Sequence, residues 1–159
     1  MEAVLASIKE KYEYVGKTFS IVVPEKIEQI IEEGQALKHC LDRSDRYFER
    51  IANQESYIVF LRRTKAMEQP YYTLEIEPDG TTRQKRTVGD NQNNDYHRAE
   101  KFLKKWQAAI RPRLSQEDFE RQEISRQLRM YELESLRNDK VTSMWNPCRE
   151  LLVGYLEAD

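Results

Sequence analysis

Glycine is scarce, five residues in 159, and neither G-x-G-x-x-G nor a Walker-type loop occurs. This excludes a glycine-rich cradle for nucleotide phosphates, since backbone N–H groups come close to a pyrophosphate only where side chains are missing. Cysteine and histidine number two each, without C-x-x-C or H-x-x-x-H spacing, so no dedicated tetrahedral metal site is expected. Cys40 and Cys148 lie more than a hundred positions apart and are expected as thiols. No apolar run approaches the roughly 18 residues that span a bilayer. The opening Met1-Glu-Ala-Val-Leu-Ala-Ser7 is acidic and then lysine-rich instead of basic, apolar and small, so a soluble, cytoplasmic protein is expected, with no membrane partner. Charge of one sign is missing as well: 26 Lys and Arg face 28 Asp and Glu, a net −2, which removes the global positive field of a dedicated duplex-DNA binder. No cofactor is indicated.

What is present is enough for a core. Hydrophobic residues make up 39% and aromatics 10% of one domain's length, and a chain of about 150 residues buries roughly 68–70% of its unfolded surface. Residues 1–17 read as a short helix and turn, with Val4, Leu5 and Ile8 on one face and Gly16 as the break. Phe19–Val23 reads as a strand stopped by Pro24, and residues 25–41 as a helix carrying Ile27, Ile30, Ile31 and Leu37 at helical spacing. Ser44-Asp45 caps a second helix with Tyr47, Phe48 and Ile51 inward. Ser56–Arg62 and Tyr71–Glu77 read as strands, and Pro78-Asp79-Gly80 turns the second into Thr81–Thr87 as a hairpin. An Asn-rich loop then leads to an amphipathic helix, Tyr96–Ile110, limited by Pro112.

Ser115-Gln-Glu-Asp118 resembles a capping box for a long charged helix to about Arg137. Its narrow stripe of Ile124, Leu128 and Tyr131 is expected to touch another chain, a second copy included. A last helix is expected after Pro147, with Leu151, Leu152, Tyr155 and Leu156. The pattern predicts an α+β fold: three to four mostly antiparallel strands packed with helices, plus a helical extension. The expected divisions are 1–17, an N-terminal helix and turn; 18–110, the α+β core; and 111–159, the extension.

Three groups of residues carry possible chemistry. His39-Cys40 pairs an imidazole base with a thiol nucleophile, but neighbours on a helix point about 100° apart. His97, oriented by Asp90, Asn91 or Asn93, is an alternative partner for Cys40. Against both stands a plain reading, a small buried cysteine and a helix-terminal histidine. The second group is basic. Residues 81–114 hold nine Lys and Arg against three acids, a local surplus of +6. Arg83, Gln84, Lys85, Arg86 and Asn93, with Lys101 and Lys105 on the following helix, form a candidate face for nucleic acid or an acidic protein partner. Residues 1–42, with eight acids and five lysines, help to balance it. The third group is Arg62-Arg63 with Tyr71-Tyr72, where guanidinium groups and rings meet on the sheet. Base stacking competes there with ordinary half-buried tyrosines.

In order along the chain stand Tyr12-Glu-Tyr14, Ser20-Ile-Val-Val-Pro24, Glu33-Gly-Gln-Ala-Leu-Lys-His-Cys40, Ser44-Asp-Arg-Tyr-Phe-Glu-Arg-Ile51, Ser56-Tyr-Ile-Val-Phe-Leu-Arg-Arg63, Pro70-Tyr-Tyr-Thr-Leu-Glu75 and Arg83-Gln-Lys-Arg-Thr87. This series, over about residues 10–110, resembles the PcfJ-like family of mobile elements and phages, named after a conjugation-plasmid protein associated with DNA-processing machinery. The resemblance implies signature positions at His39, Cys40, Tyr47, Arg62, Thr73, Glu75, Gln84 and Asn93. It departs at Leu41-Asp42, where members often carry Val-Gly, a change that removes a tight backbone turn. It implies a domain and a context, not a reaction. Three functions follow as expectations: an accessory domain binding nucleic acid or a DNA-processing complex, a phage counter-defence protein binding a host complex, or an enzyme centred on His39 and Cys40, or on His39 with Glu75 and Gln84. The non-enzymatic readings are preferred.

Overall fold

The computed structural model describes residues 1–37, 45–86 and 96–138. Five strands, β1 (Tyr14–Val15), β2 (Phe19–Val22), β3 (Tyr57–Arg63), β4 (Tyr72–Ile76) and β5 (Thr82–Arg86), pair in chain order as an antiparallel meander. Among the described residues five α-helices accompany them: α1 (Glu2–Tyr12), α2 (Ile27–Leu37), α3 (Asp45–Ala52), α4 (Tyr96–Ile110) and α5 (Gln116–Asn138). The architecture is α+β, as the patterning predicts, but the sheet has five strands instead of three to four. The addition is β1, a two-residue strand where the sequence reads as a turn. It is too short to show an alternating period, and its pairing partner, β2, supplies the register, Tyr14 opposite Ile21 and Val15 opposite Ser20. Gly16 makes that turn possible, because a Cβ there would stand 2.5 Å from Phe19 O.

The register sorts the side chains into two faces, since successive residues of a strand point opposite ways. Phe19, Ile21, Tyr57, Val59, Leu61, Tyr72, Leu74 and Ile76 share one face and are buried. Helices α1 and α4 cover it: Tyr12 packs on Tyr57 with ring centroids 5.5 Å apart, Phe102 on Phe19 at 5.7 Å, and the Trp106 indole donates to Tyr12 O at 2.8 Å. Burial pushes the Tyr57 phenol up to about 12. The other face carries Ser20, Val22, Ile58, Phe60, Arg62, Thr73, Glu75 and Gln84, with α2 and α3 against it through Glu33–Arg62 and Arg50–Glu75.

Helix α5 runs past the β4–β5 hairpin, where Asp79 N donates to Gln122 Oε1 at 3.0 Å. The Pro78-Asp79-Gly80 turn forms as read, with Gly80 at φ +90° and Ile110 Cδ1 only 2.9 Å from where a Cβ would stand. Glycine is required there on both counts. The capping box also forms: Ser115 N donates to Asp118 Oδ2 at 2.7 Å and Asp118 N to Ser115 Oγ at 3.3 Å. Among the described residues no helix is long and apolar enough to cross a membrane. The helix expected after Pro147 lies outside the described residues.

Candidate functional site

The face under α2 and α3 is a buried layer of charge. Arg62 forms a two-pronged pair with Glu33, its Nη2 2.7 Å from Glu33 Oε2, and its Nε donates to Met67 O at 3.2 Å. On the neighbouring strand, Glu75 Oε1 accepts from Arg50 Nη1 at 2.8 Å and Ser56 Oγ at 2.6 Å, with Arg83 Nη1 at 3.7 Å. Burial pushes the Glu75 carboxyl up, but Arg50, Arg83 and the Ser56 hydroxyl outweigh it and hold the group below the usual carboxylate range. Glu77, fully buried, accepts from Arg83 Nε at 3.3 Å, Gln122 Nε2 at 3.1 Å and Ser125 Oγ at 3.2 Å, and forms an ion pair with Arg129, whose Nε stands 3.2 Å away. Glu55 and Glu132 close the network, Glu55 3.2 Å from Arg83 and Glu132 2.8 Å from Arg50.

A β-bulge explains how Arg83 enters this layer. Glu75 pairs with Gln84 and Ile76 with Thr82, so Arg83 is the extra residue between them, and a bulge re-aims the side chain it inserts. At 2% exposure, with its guanidinium on Glu77, Glu55 and Ser125 O, Arg83 is structural. It is not at hand to a phosphate, which corrects its place in the basic face. Arg62 is corrected for the same reason. Gln84 is buried too and accepts from the Tyr47 hydroxyl at 3.1 Å. Tyr47, Thr73, Glu75 and Gln84 therefore share one buried face. His39, Cys40 and Asn93 lie outside the described residues, as does the Asn-rich loop with Asp90 and Asn91.

The tyrosine reading also changes. Tyr71 and Tyr72 are buried, and Tyr71 stacks on Phe19 with planes 4° apart while the Arg63 guanidinium sits 4.3 Å from its centroid. No ring face is left for a base. Patterning missed Arg50, Glu55, Glu77, Ser125, Arg129 and Glu132. A signal existed for Glu77, because it follows Thr73 and Glu75 at the same two-residue spacing, just past the end of β4.

The exposed cations are elsewhere. Arg98, Lys101 and Lys105 of α4, three and four residues apart, line its outer face opposite Ala99, Leu103, Trp106 and Ile110, which are buried. Among the described residues none of the three pairs with a carboxylate, and Glu100 stands 3.9 Å from the exposed His97. Lys85 is half-buried on β5, and Arg86 adds its backbone to the same strand. No three His, Cys, Asp or Glu side chains among the described residues stand together as metal ligands would.

The family described as PcfJ-like protein matches residues 2–101. The chain belongs to the PcfJ-like family. The PcfJ-like match takes in the whole sheet, α1 to α3 and the start of α4, with Tyr47, Arg62, Thr73, Glu75 and Gln84 inside it; Lys105 and α5 lie beyond it. No curated protein and no solved structure matches the chain.

Proposed function

We propose that this PcfJ-like chain is a binding domain that holds the sugar–phosphate backbone of a nucleic acid on the outer face of α4, as an accessory to DNA processing in a mobile element or phage. The observation that carries this is the row Arg98, Lys101 and Lys105, exposed and without carboxylate partners among the described residues. Seven residues of helix rise about 10 Å, a length over which duplex DNA presents about six phosphates. Each cation can therefore meet a phosphate of its own. Contacts of this kind position a nucleic acid without reading its sequence.

The test is fluorescence anisotropy with labelled single- and double-stranded oligonucleotides from about 50 to 200 mM salt. Three neutralised phosphates give a log–log slope of about −2 on single strands and about −2.7 on duplex. No binding at about 50 mM salt overturns the reading and leaves an acidic protein as the partner of α4.

A second contact is supported by α5. Ile124, Leu128 and Tyr131 are 58%, 43% and 73% exposed, an apolar stripe on a charged helix, and it suits a second copy of the chain. Leu128→Asp should then shift a concentration-dependent sedimentation coefficient to that of a monomer. A wild type that sediments as a monomer at all concentrations removes this contact.

A further inference from the structure

The fold splits the Tyr12-Glu-Tyr14 motif. Tyr12 is enclosed, its hydroxyl donating to Pro78 O at 2.7 Å. Tyr14 stands on β1, the outer strand of the sheet, half-buried, and its hydroxyl reaches solvent without a hydrogen-bond partner. Its ring rests on that of Phe102 of α4, also half-buried, with centroids 5.9 Å apart, and Phe102 is backed by Phe19 at 5.7 Å. The pairing of Tyr14 opposite Ile21 fixes it in the sheet. The two rings make a partly open aromatic platform.

Cations flank this platform. One turn of helix separates Phe102 from Arg98 on one side and from Lys105 on the other, so the exposed row of α4 runs beside the rings. Arg113, exposed, donates its Nη1 to Glu13 O at 2.8 Å and so stands next to the residue before Tyr14. Lys17 is exposed in the β1–β2 turn, whose Gly16 lies against both rings. Among the described residues none of these cations pairs with a carboxylate, and Glu13, the acid beside Tyr14 in sequence, stands 3.8 Å from Lys9.

Resting on the proposed α4 contact, we infer that the nucleic acid held there is a single strand, one base of which stacks on the Tyr14–Phe102 platform while the neighbouring cations hold its phosphates. Rings beside a basic track suit a single strand, because every base has a π-face for the ring and every nucleotide a phosphate for the cations. A duplex keeps its base faces inside its own stack. Phe19 and the β1–β2 pairing hold the platform in place before a ligand arrives, so little side-chain freedom is lost on stacking.

The test is fluorescence anisotropy at about 50 mM salt with three labelled oligonucleotides of equal length: a single strand, the same strand made abasic over its central positions, and a duplex. The wild type should bind the ordinary strand roughly 5- to 150-fold more tightly than the abasic one, the worth of one stacked base, and more tightly than the duplex. Tyr14→Leu should bring the ordinary strand to the abasic level and leave abasic and duplex binding in place. Its salt slope should not change, since stacking releases no counterions. Tyr14→Phe keeps the ring and should bind as the wild type does. The abasic comparison is made on the wild type and needs no variant to fold. Equal binding of ordinary and abasic strands, a duplex bound more tightly than the single strand, or full binding by a folded Tyr14→Leu overturns the platform and leaves the phosphate contacts of α4 standing. No binding of any of the three oligonucleotides overturns both.

Discussion

Two populations of cations divide the molecule. Under α2 and α3, Arg50, Arg62 and Arg83 are buried, and each guanidinium rests on glutamates: Glu75 and Glu132, Glu33, and Glu77 with Glu55. On α4, Arg98, Lys101 and Lys105 are exposed, with no carboxylate partner among the described residues. A buried charge must be compensated inside the protein, whereas an exposed one is compensated by water and remains available to a partner. Counting positive residues along the sequence merges the two populations; burial separates them. The interior set holds the fold, and the α4 set is the one we propose for a nucleic-acid backbone.

The comparison breaks most severely at Arg83. Arg83→Leu leaves Glu77 and Glu75 short of a counter-charge inside the protein, and urea unfolding should show a loss of about 3–5 kcal/mol. Replacement of both partners elsewhere in the layer sharpens the point: Glu33→Leu with Arg62→Met should cost less than Arg62→Met alone, because the double change leaves no unpaired charge. A single variant as stable as the wild type would mean that the layer is not structural.

Acid offers a milder probe. Glu75 is held below its ordinary range, and so is Asp118, where burial works upward while Lys11 and Ser115 more than offset it. A carboxylate depressed in the folded state stabilises fully above its unfolded value, and that contribution is lost as pH falls through the folded value. The urea midpoint should therefore hold from pH 7 to about 5 and drop as pH falls below the ordinary carboxylate values near 4. Glu75→Gln should lower the midpoint at neutral pH and flatten this drop. A midpoint that rises on acidification would contradict the assignment. Smaller still is Ser115→Ala, which removes the α5 cap at a cost of about 1 kcal/mol by the same urea assay.

Much of the fold was legible because its segments carry clear periods. Tyr72–Ile76 and Thr82–Arg86 lie within the two strands expected around Pro78-Asp79-Gly80, α4 spans the expected Tyr96–Ile110, and the Ser115 capping box marks the start of α5. Strand β1 was illegible because two residues have no period. The candidate site was less legible. Thr73 and Glu75 alternate on the buried strand β4 and Glu77 follows just beyond its end at the same spacing, which marks a charged layer inside, but their partners come from residues 50, 83 and 132, and no local pattern links those. Arg83 looked like part of a basic run with Lys85 and Arg86 because the bulge that turns it inward depends on cross-strand register.

The central claim is that Arg98, Lys101 and Lys105 of α4 are dispensable for folding and necessary for nucleic-acid binding. The most direct measurement is made on one variant, Arg98→Glu/Lys101→Glu/Lys105→Glu, followed by urea unfolding and by oligonucleotide anisotropy at about 50 mM salt. The account predicts an unfolding free energy within about 0.5 kcal/mol of the wild type at each changed position, together with complete loss of binding. Binding retained at wild-type strength, or lost only because the variant unfolds, would contradict it.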